Sequence, residues 1–277
     1  MSYKTILVHA DLGTAAVDRI IFAMRLAQAF DAHLIGCALT GISRFIPPDV
    51  TILDGTPLAD LCIAMRSNAA EALQRFAQIA SEEGVLLAEE RMIDDDACGM
   101  ALHARYADLV VVSQPSDSMP THGSTSDLPG YLLRQSGRPL LVVPRTYRRV
   151  GLFDTVLLAW DGSMEATRAV MGALPVMQMA RSVSVMHVND GRSVLDQAST
   201  SCSKMAHYLR RQGITAAVRH GSGLLNIGDA LLSAVSDADA NLLVMGGYGR
   251  SPLRESLLGG VTASILKSMT IPVLVAH

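Results

Sequence analysis

The sequence contains no apolar run long enough to cross a membrane. None of its hydrophobic stretches approaches 18 consecutive apolar residues, although 49% of the 277 residues are hydrophobic. The opening segment MSYKTILVHA runs directly into a strand pattern and shows no signal-type apolar stretch with a cleavage site. We therefore expect a cytoplasmic protein that does not enter the membrane.

Positive charge and metal-ligand spacing are also lacking. The formal net charge is −3 and the isoelectric point is about 6.2, so no positive field is available to attract a nucleic acid. The four cysteines show no CxxC or histidine-rich spacing, and we predict neither a zinc site nor a disulfide framework. Nucleic-acid binding and structural metal binding are thus not expected.

Catalytic constellations are not evident either. The order of residues supports no Ser-His-Asp or Cys-His arrangement, and we predict no catalytic residues. The run Asp94-Asp95-Asp96 could attract a divalent cation, but consecutive carboxylates are more typical of a solvated turn before a helix. We assign it no metal.

What the sequence does contain is an internal repeat. The segment Thr5-Ile-Leu-Val-His-Ala-Asp11 recurs as Thr155-Val-Leu-Leu-Ala-Trp-Asp161, an offset of 155 − 5 = 150. Further on, 107–112 matches 240–245, where the offset has fallen to 240 − 107 = 133. The first copy therefore holds additional residues, and we place them in a surface excursion from Gly41 to Cys62, which contains three prolines.

Each copy alternates short runs rich in Val, Leu and Ile with longer stretches of helical periodicity, the pattern of a parallel sheet covered by helices. We predict an α/β protein of two tandem doubly wound domains, residues 1–147 and 152–277, each a five-stranded parallel sheet flanked by helices. In the second copy we predict strands near 154–160, 182–188, 216–220, 241–246 and 272–276, with helices over Leu195–Gln212 and Ile227–Asp237. Ligands of such folds bind at the carboxyl ends of the strands, here between the first and fourth strands of a copy.

A glycine-rich loop follows the fourth strand of the second copy. Gly246, Gly247 and Gly249 end that strand, and Gly259-Gly260 precede a predicted helix. Glycine allows main-chain N–H groups to approach an anion without a Cβ in the way, and the start of the helix would aim further N–H groups at the same place. Thr262 could add a hydroxyl donor and Arg250 could pair with phosphate charge, although an exposed loop arginine explains Arg250 equally well. The loop is therefore predicted to hold phosphate groups.

In these residues the sequence resembles the universal stress protein family. Its nucleotide-binding members carry G-x2-G-x9-G followed by Ser or Thr, and this chain has Gly246-x2-Gly249-x9-Gly259 with Gly260 in place of the hydroxyl residue. The resemblance extends over nearly the whole chain, since both copies share the opening strand that ends in Asp and a closing apolar strand that follows a proline, Pro139 or Pro272.

The resemblance implies a fold like that of the adenine nucleotide alpha hydrolases and ATP, with or without Mg²⁺, as the ligand. It implies that Asp161 contacts the adenosine part, that the main chain of Val188 holds adenine, and that the loop and the first helical turn hold the phosphates. The residues that we assign to the nucleotide are Asp161, Val188, Gly246, Gly247, Gly249, Arg250, Gly259, Gly260, Val261 and Thr262. For Asp161, capping of the following helix is an equally good explanation, with Gly162 and Ser163 as competing caps.

The first copy has lost this loop. After its fourth strand it reads Ser113-Gln-Pro-Ser-Asp-Ser-Met-Pro, and proline removes the N–H donors that phosphate requires. Asp11 is then expected to serve capping or packing. The resemblance further implies that the two copies pack as a pseudo-dimer through their last strands and that two chains can associate.

We therefore expect a stress-response or regulatory protein that binds ATP in its second domain. A slow ATPase and a partner-binding module without nucleotide are the alternatives. The ATPase would need a positioned base or a metal-binding carboxylate beside the phosphates, for which Asp161 is the only candidate.

Overall fold

The repeated apolar runs form the strands of the structure, which pair mostly in parallel. The computed structural model describes residues 2–42, 58–115, 127–147, 151–189, 195–222, 226–248 and 260–277. The chain forms two compact units, Tyr3–Arg138 and Pro139–His277. Among the described residues, no helix is both long and apolar enough to span a membrane.

The first unit contains four parallel strands in the order β3-β2-β1-β4. Its strands are β1 (Thr5–His9), β2 (His33–Leu39), β3 (Ala88–Ile93) and β4 (Leu109–Ser113), and its helices are α1 (Ala16–Phe30), α2 (Leu58–Glu82), α3 (Ala97–Ala104) and α4 (Leu128–Gln135). The central strands β1 and β4 are almost wholly buried, as expected for a sheet covered on both faces.

The second unit contains the parallel strands β8-β7-β6-β9-β10 and one antiparallel strand, β5. Its strands are β5 (Leu140–Val143), β6 (Thr155–Ala159), β7 (Ser182–Asn189), β8 (Ala216–Ser222), β9 (Leu242–Gly246) and β10 (Val273–Ala276). Its helices are α5 (Met164–Met179), α6 (Leu195–Arg211), α7 (Ile227–Asp237) and α8 (Val261–Ser268). The strand β5 pairs with β10 through Val142 and Val273.

The repeat seen in the sequence has the same hydrogen-bonding register in both copies. Strand β1 pairs with β4 with Leu7 opposite Val110, and β6 pairs with β9 with Leu157 opposite Leu243. These partners are related by the offsets of 150 and 133 read from the sequence. The ends of β1 and β4 in the first copy therefore correspond residue by residue to the ends of β6 and β9 in the second copy.

The predicted α/β class with a largely parallel sheet between helices is confirmed. The strands and helices predicted in the second copy agree with the observed ones to within two residues. The predicted excursion from Gly41 to Cys62 is wrong at its end, because helix α2 begins at Leu58 and Cys62 is buried on it. Residues 43–57 lie outside the described residues, and the predicted domain limits, 1–147 and 152–277, stay a prediction.

Candidate functional site

Asp161 follows β6 at the carboxyl end of that strand, in the second unit. It is exposed, and its Oδ1 accepts hydrogen bonds from the backbone N–H and the hydroxyl of Ser163 at 3.0 and 2.6 Å. Ser163 in turn caps α5 by accepting from the N–H of Ala166 at 3.1 Å. The helix cap is therefore Ser163, and Asp161 supports it through Oδ1.

Val188 lies on β7 beyond the end of β6. The carbonyl of Met186 accepts from the N–H of Trp160, which is the last rung between these two strands. Because backbone groups of alternate residues in a strand point to the same side, the N–H and C=O of Val188 point toward β6 where that strand has ended. Val188 can thus offer one donor and one acceptor to a planar ligand such as a purine base.

Trp160 and His187 shape the same edge. The imidazole Nδ1 of His187 lies 2.9 Å from the carbonyl of Trp160, and a carbonyl can only accept, so Nδ1 donates. The indole N–H of Trp160 donates to Ser201 on α6 at 2.9 Å. His187 is therefore a half-buried histidine with a satisfied ring nitrogen, and Trp160 is held against α6.

Gly246, the last residue of β9, permits a close approach of α5 to the sheet. A Cβ at this position would lie 2.5 Å from the backbone nitrogen of Ala166 and 2.9 Å from the Cβ of Glu165. Both distances are shorter than real Cβ contacts allow. The absence of a side chain at Gly246 is therefore required by packing against the first turn of α5.

Hydrogen bonds from other elements fix Gly247 and Tyr248, the two residues after β9. The N–H of Gly247 donates to the carbonyl of Ala276 at 2.9 Å, and the carbonyl of Gly247 accepts from Nδ1 of His277 at 3.0 Å. Tyr248 has a left-handed backbone with φ of 57°, and its N–H donates to the hydroxyl of Thr262 at 3.2 Å. The amide of Gly247 is thus used by the sheet and is not directed at a ligand.

Helix α8 begins at this place with its first amides uncapped. Its N-cap residue is Gly260, which has no side chain that could accept a hydrogen bond from the first turn. The N-cap residue therefore leaves the N–H groups of Val261 and Thr262 to other acceptors. Free amides at a helix N-terminus, together with the positive end of the helix dipole, favour an anion.

Three of the predicted site residues, Gly249, Arg250 and Gly259, lie outside the described residues. The convergence of the loop amides on one anion stays a prediction. Within the described part, the structure connects Tyr248 at one end of the loop with Thr262 on α8 at the other. Asp161 and Val188 lie at the same carboxyl edge, on the neighbouring strands β6 and β7.

The same edge of the first unit is filled by its own side chains. Arg19 on α1 is 2% exposed and donates from Nε to the carbonyl of His9 at 2.9 Å and from Nη2 to Asp11 at 3.0 Å. Its Nη1 donates to the hydroxyl of Ser113, the last residue of β4. Asp11 also lies 3.2 Å from Nδ1 of His9. One guanidinium therefore joins the ends of β1 and β4.

The charge of Asp11 is stabilised by this network. Burial favours the neutral carboxyl, but Arg19, His9 and the N–H of Gly13 outweigh it and hold the pKa of Asp11 well below its usual range. The expected packing role of Asp11 thus takes the form of an ion pair. The sequence contained a signal for it, since Arg19 interrupts the apolar face of α1 where the second copy has the buried Ala169.

A second difference lies at the start of the last helix of each copy. Asp127 is the N-cap of α4 and accepts from the N–H of Gly130 at 3.0 Å, whereas the equivalent residue in the second copy is Gly260. The first copy therefore satisfies this helix end with its own carboxylate. We did not single out Asp127 in the sequence, although an Asp before Leu-Pro is a recognisable start of a helix.

The acidic run Asp94-Asp95-Asp96 serves local structure. Asp96 is the N-cap of α3, and Asp94 accepts from Thr40 at 3.0 Å and pairs with Arg66. The hydrogen bonds from Arg66 lower the pKa of Asp94, and those from Thr40 act in the same direction. No group of three or more His, Cys, Asp or Glu residues in the described ranges is placed to hold a metal ion.

Comparisons with known proteins agree with this architecture. Residues 152–277 match the model of the universal stress protein family. A universal stress protein of Synechocystis is 26% identical over 144 residues, which are 52% of this chain and 48% of that protein, so the match spans about half the length of this relative.

Two solved structures are similar to this chain over nearly its full length. A universal stress protein from Archaeoglobus fulgidus has a TM-score of 0.72 at 20% identity and covers 99% of this chain and 98% of its own. A protein of unknown function from Pseudomonas aeruginosa has a TM-score of 0.61 at 16% identity, with coverage of 99% and 92%. These likenesses establish the fold. Residues 152–277 are therefore similar to the universal stress protein family, whose model they match.

Proposed function

We propose that the domain of residues 152–277 binds ATP and that the protein acts as a cytoplasmic regulatory protein of the stress response rather than as an enzyme. The observation that carries this proposal is the difference between Gly260 and Asp127 at matched helix starts. The first copy places its own carboxylate on the first amides of the helix, and the second copy leaves them for another anion. The N-terminal domain is proposed to bind no nucleotide.

Each part of ATP has a suitable group at this edge. The main chain of Val188 presents a donor and an acceptor for adenine, and the exposed Asp161 is suited to accept hydrogen bonds from the ribose hydroxyls. The amides of Val261 and Thr262, with those of Gly249 and Gly259, are proposed to hold the phosphates. A Mg²⁺ ion would enter with the phosphates, whose oxygens it commonly binds in nucleotide sites.

The contacts of the first copy support the proposal that the N-terminal domain binds no nucleotide. Arg19, Asp11 and Ser113 satisfy one another at the place where β1 and β4 end. Asp127 satisfies the helix, and Pro129 stands at the position of Thr262. These groups are thus engaged in contacts within the first copy.

Pairing of β5 with β10 supports the proposal that the two copies associate through their last strands as a pseudo-dimer. Further association of two chains into a homodimer remains part of the proposal. Sedimentation of the protein at several concentrations tests it, and a single species at the mass of one chain, 29.5 kDa, would contradict the homodimer.

Calorimetric titration with ATP tests the nucleotide proposal. We expect one ATP per chain, binding that Gly249→Val abolishes, and no change with the control variant Gly123→Val, which replaces a glycine that follows the fourth strand of the first copy. Trp160 is the only tryptophan of the chain and lies next to Asp161, so its fluorescence should report the same event. Absence of heat and of any fluorescence change with ATP and AMP would contradict the proposal and favour the partner-binding module. Phosphate release that depends on Mg²⁺ and is lost in Asp161→Ala would favour the slow ATPase.

A further inference from the structure

We propose that Thr262 and His277 are positioning residues, which set the entry of the glycine-rich loop so that its amides are ready for the ligand. This inference rests on the proposed nucleotide binding. It assigns to two side chains a role that neither the loop pattern nor the comparisons provide.

The entry of the loop consists of Gly247 and Tyr248. Three hydrogen bonds hold these two residues, and each comes from a different element. The N–H of Gly247 donates to Ala276 of β10, the carbonyl of Gly247 accepts from the imidazole of His277, and the N–H of Tyr248 donates to the hydroxyl of Thr262. Neighbouring elements thus bind both backbone groups of Gly247 and the N–H of Tyr248.

The backbone at Tyr248 needs such support. Its φ of 57° is in the left-handed region, which a residue with a Cβ adopts only at a cost. A conformation of this kind persists when the surrounding contacts determine it. The hydrogen bond from Tyr248 to Thr262 is one such contact, and it fixes the direction in which the chain leaves β9.

The position of Thr262 explains how it can act in this way. Its side chain is buried, at 3% exposure, in the first turn of α8, the helix whose amides are proposed to hold phosphate. The hydroxyl oxygen accepts from Tyr248, and this contact joins the start of the loop to the helix at its end. Thr262 therefore links the residue at which the chain enters the loop to the first turn of α8.

His277 acts on the neighbouring peptide group. Because the carbonyl of Gly247 can only accept, Nδ1 of His277 carries the proton in this contact. The imidazole is exposed on its other side and lies beyond the end of β10. Its contact with Gly247 prevents rotation of the peptide plane that leads into Tyr248.

The test compares four variants with the wild-type protein. Thr262→Val keeps the shape and removes the hydroxyl, Thr262→Ser keeps the hydroxyl, and His277→Ala removes the imidazole. Ser268→Ala at the exposed end of α8 is the matched control, because it lies outside the loop entry. Calorimetry with ATP measures affinity, and hydrogen exchange measures the protection of the Tyr248 amide without any ligand.

We expect Thr262→Val and His277→Ala each to weaken ATP binding by roughly three- to tenfold, the effect of losing one hydrogen bond. Thr262→Ser should restore both affinity and amide protection, and Ser268→Ala should change neither. The Tyr248 amide should exchange faster in Thr262→Val even without nucleotide.

The outcomes separate this inference from the function on which it rests. If the wild-type protein binds no nucleotide, the proposed function fails, while faster exchange of the Tyr248 amide in Thr262→Val would still support the fixed loop entry. If the wild-type protein binds ATP and both Thr262→Val and His277→Ala bind it with unchanged affinity, the positioning role is overturned. Unchanged amide protection in Thr262→Val would overturn it as well.

Discussion

Arg19 lies almost wholly inside the first unit and donates to the carboxylate of Asp11 at 3.0 Å. The pair occupies the carboxyl edge of the sheet, the place where a fold of this kind usually receives its ligand. In the second copy the equivalent positions are Ala169, which is buried, and Asp161, which is exposed. Two residues at equivalent positions, Asp11 and Asp161, thus have different roles.

This difference predicts unequal effects of the same substitution. Asp11→Ala would leave the buried guanidinium of Arg19 without its partly exposed counter-charge, and we expect it to destabilise the first unit by about 2 kcal/mol. Asp161→Ala removes hydrogen bonds from an exposed turn and should cost about 1 kcal/mol or less. Urea unfolding of the two variants measures both changes. Equal losses would contradict the stabilising ion pair of Asp11 with the buried Arg19.

The ion pair also predicts how stability depends on pH. The pKa of Asp11 is depressed in the folded protein, so its contribution to stability is complete above the unfolded pKa of about 3.9 and is lost as the pH falls below it. We expect the stability difference between wild type and Asp11→Asn to shrink between about pH 5 and pH 3. Urea unfolding across this range measures it, and a constant difference would contradict the prediction.

The close contact of Gly246 with α5 predicts that a larger residue at this position lowers the stability of the protein. In Gly246→Ala the added Cβ would meet the backbone of Ala166 at 2.5 Å, so α5 would have to move away from β9. We expect a loss of about 1–3 kcal/mol, typical of an overpacked contact. The control is Gly151→Ala, where the new Cβ would meet nothing within 4 Å. Thermal unfolding compares the two variants. Similar melting temperatures would show that α5 can move away from β9 without loss of stability.

Gly260 predicts opposite changes in stability and in binding. Gly260→Asp would supply the cap that Asp127 supplies to α4, and should stabilise α8 by up to about 1 kcal/mol. The same carboxylate would occupy the amides proposed for phosphate and repel it, so ATP affinity should fall more than tenfold. Thermal unfolding and calorimetry on one preparation measure both. Unchanged ATP affinity in a stabilised protein would place the phosphates elsewhere.

Much of the fold could be predicted from the sequence because both copies show the same order of strands and helices. Apolar runs and helical periodicity located the strands and helices of the second copy to within two residues. The start of α2 at Leu58 could not be found in this way, because the prolines upstream suggested an irregular segment as far as Cys62.

The site was less predictable for physical reasons. Glycine-rich spacing indicates where a backbone can approach an anion, but it does not tell which amides the sheet already uses, as it uses that of Gly247. Burial of Arg19 was not expected, because arginine is seldom buried without partners, and its partners His9 and Ser113 meet it only in the folded unit. Contacts of this kind depend on register between distant strands.

The antiparallel pairing of β5 with β10 has a practical consequence for dividing the chain. A protein that starts at residue 152 would lack β5, and the apolar strand Val273–Ala276 would then have an open edge. Unpaired edges of this kind recruit other strands. Isolated second domains should therefore self-associate or precipitate, and those that start before Pro139 should remain dispersed.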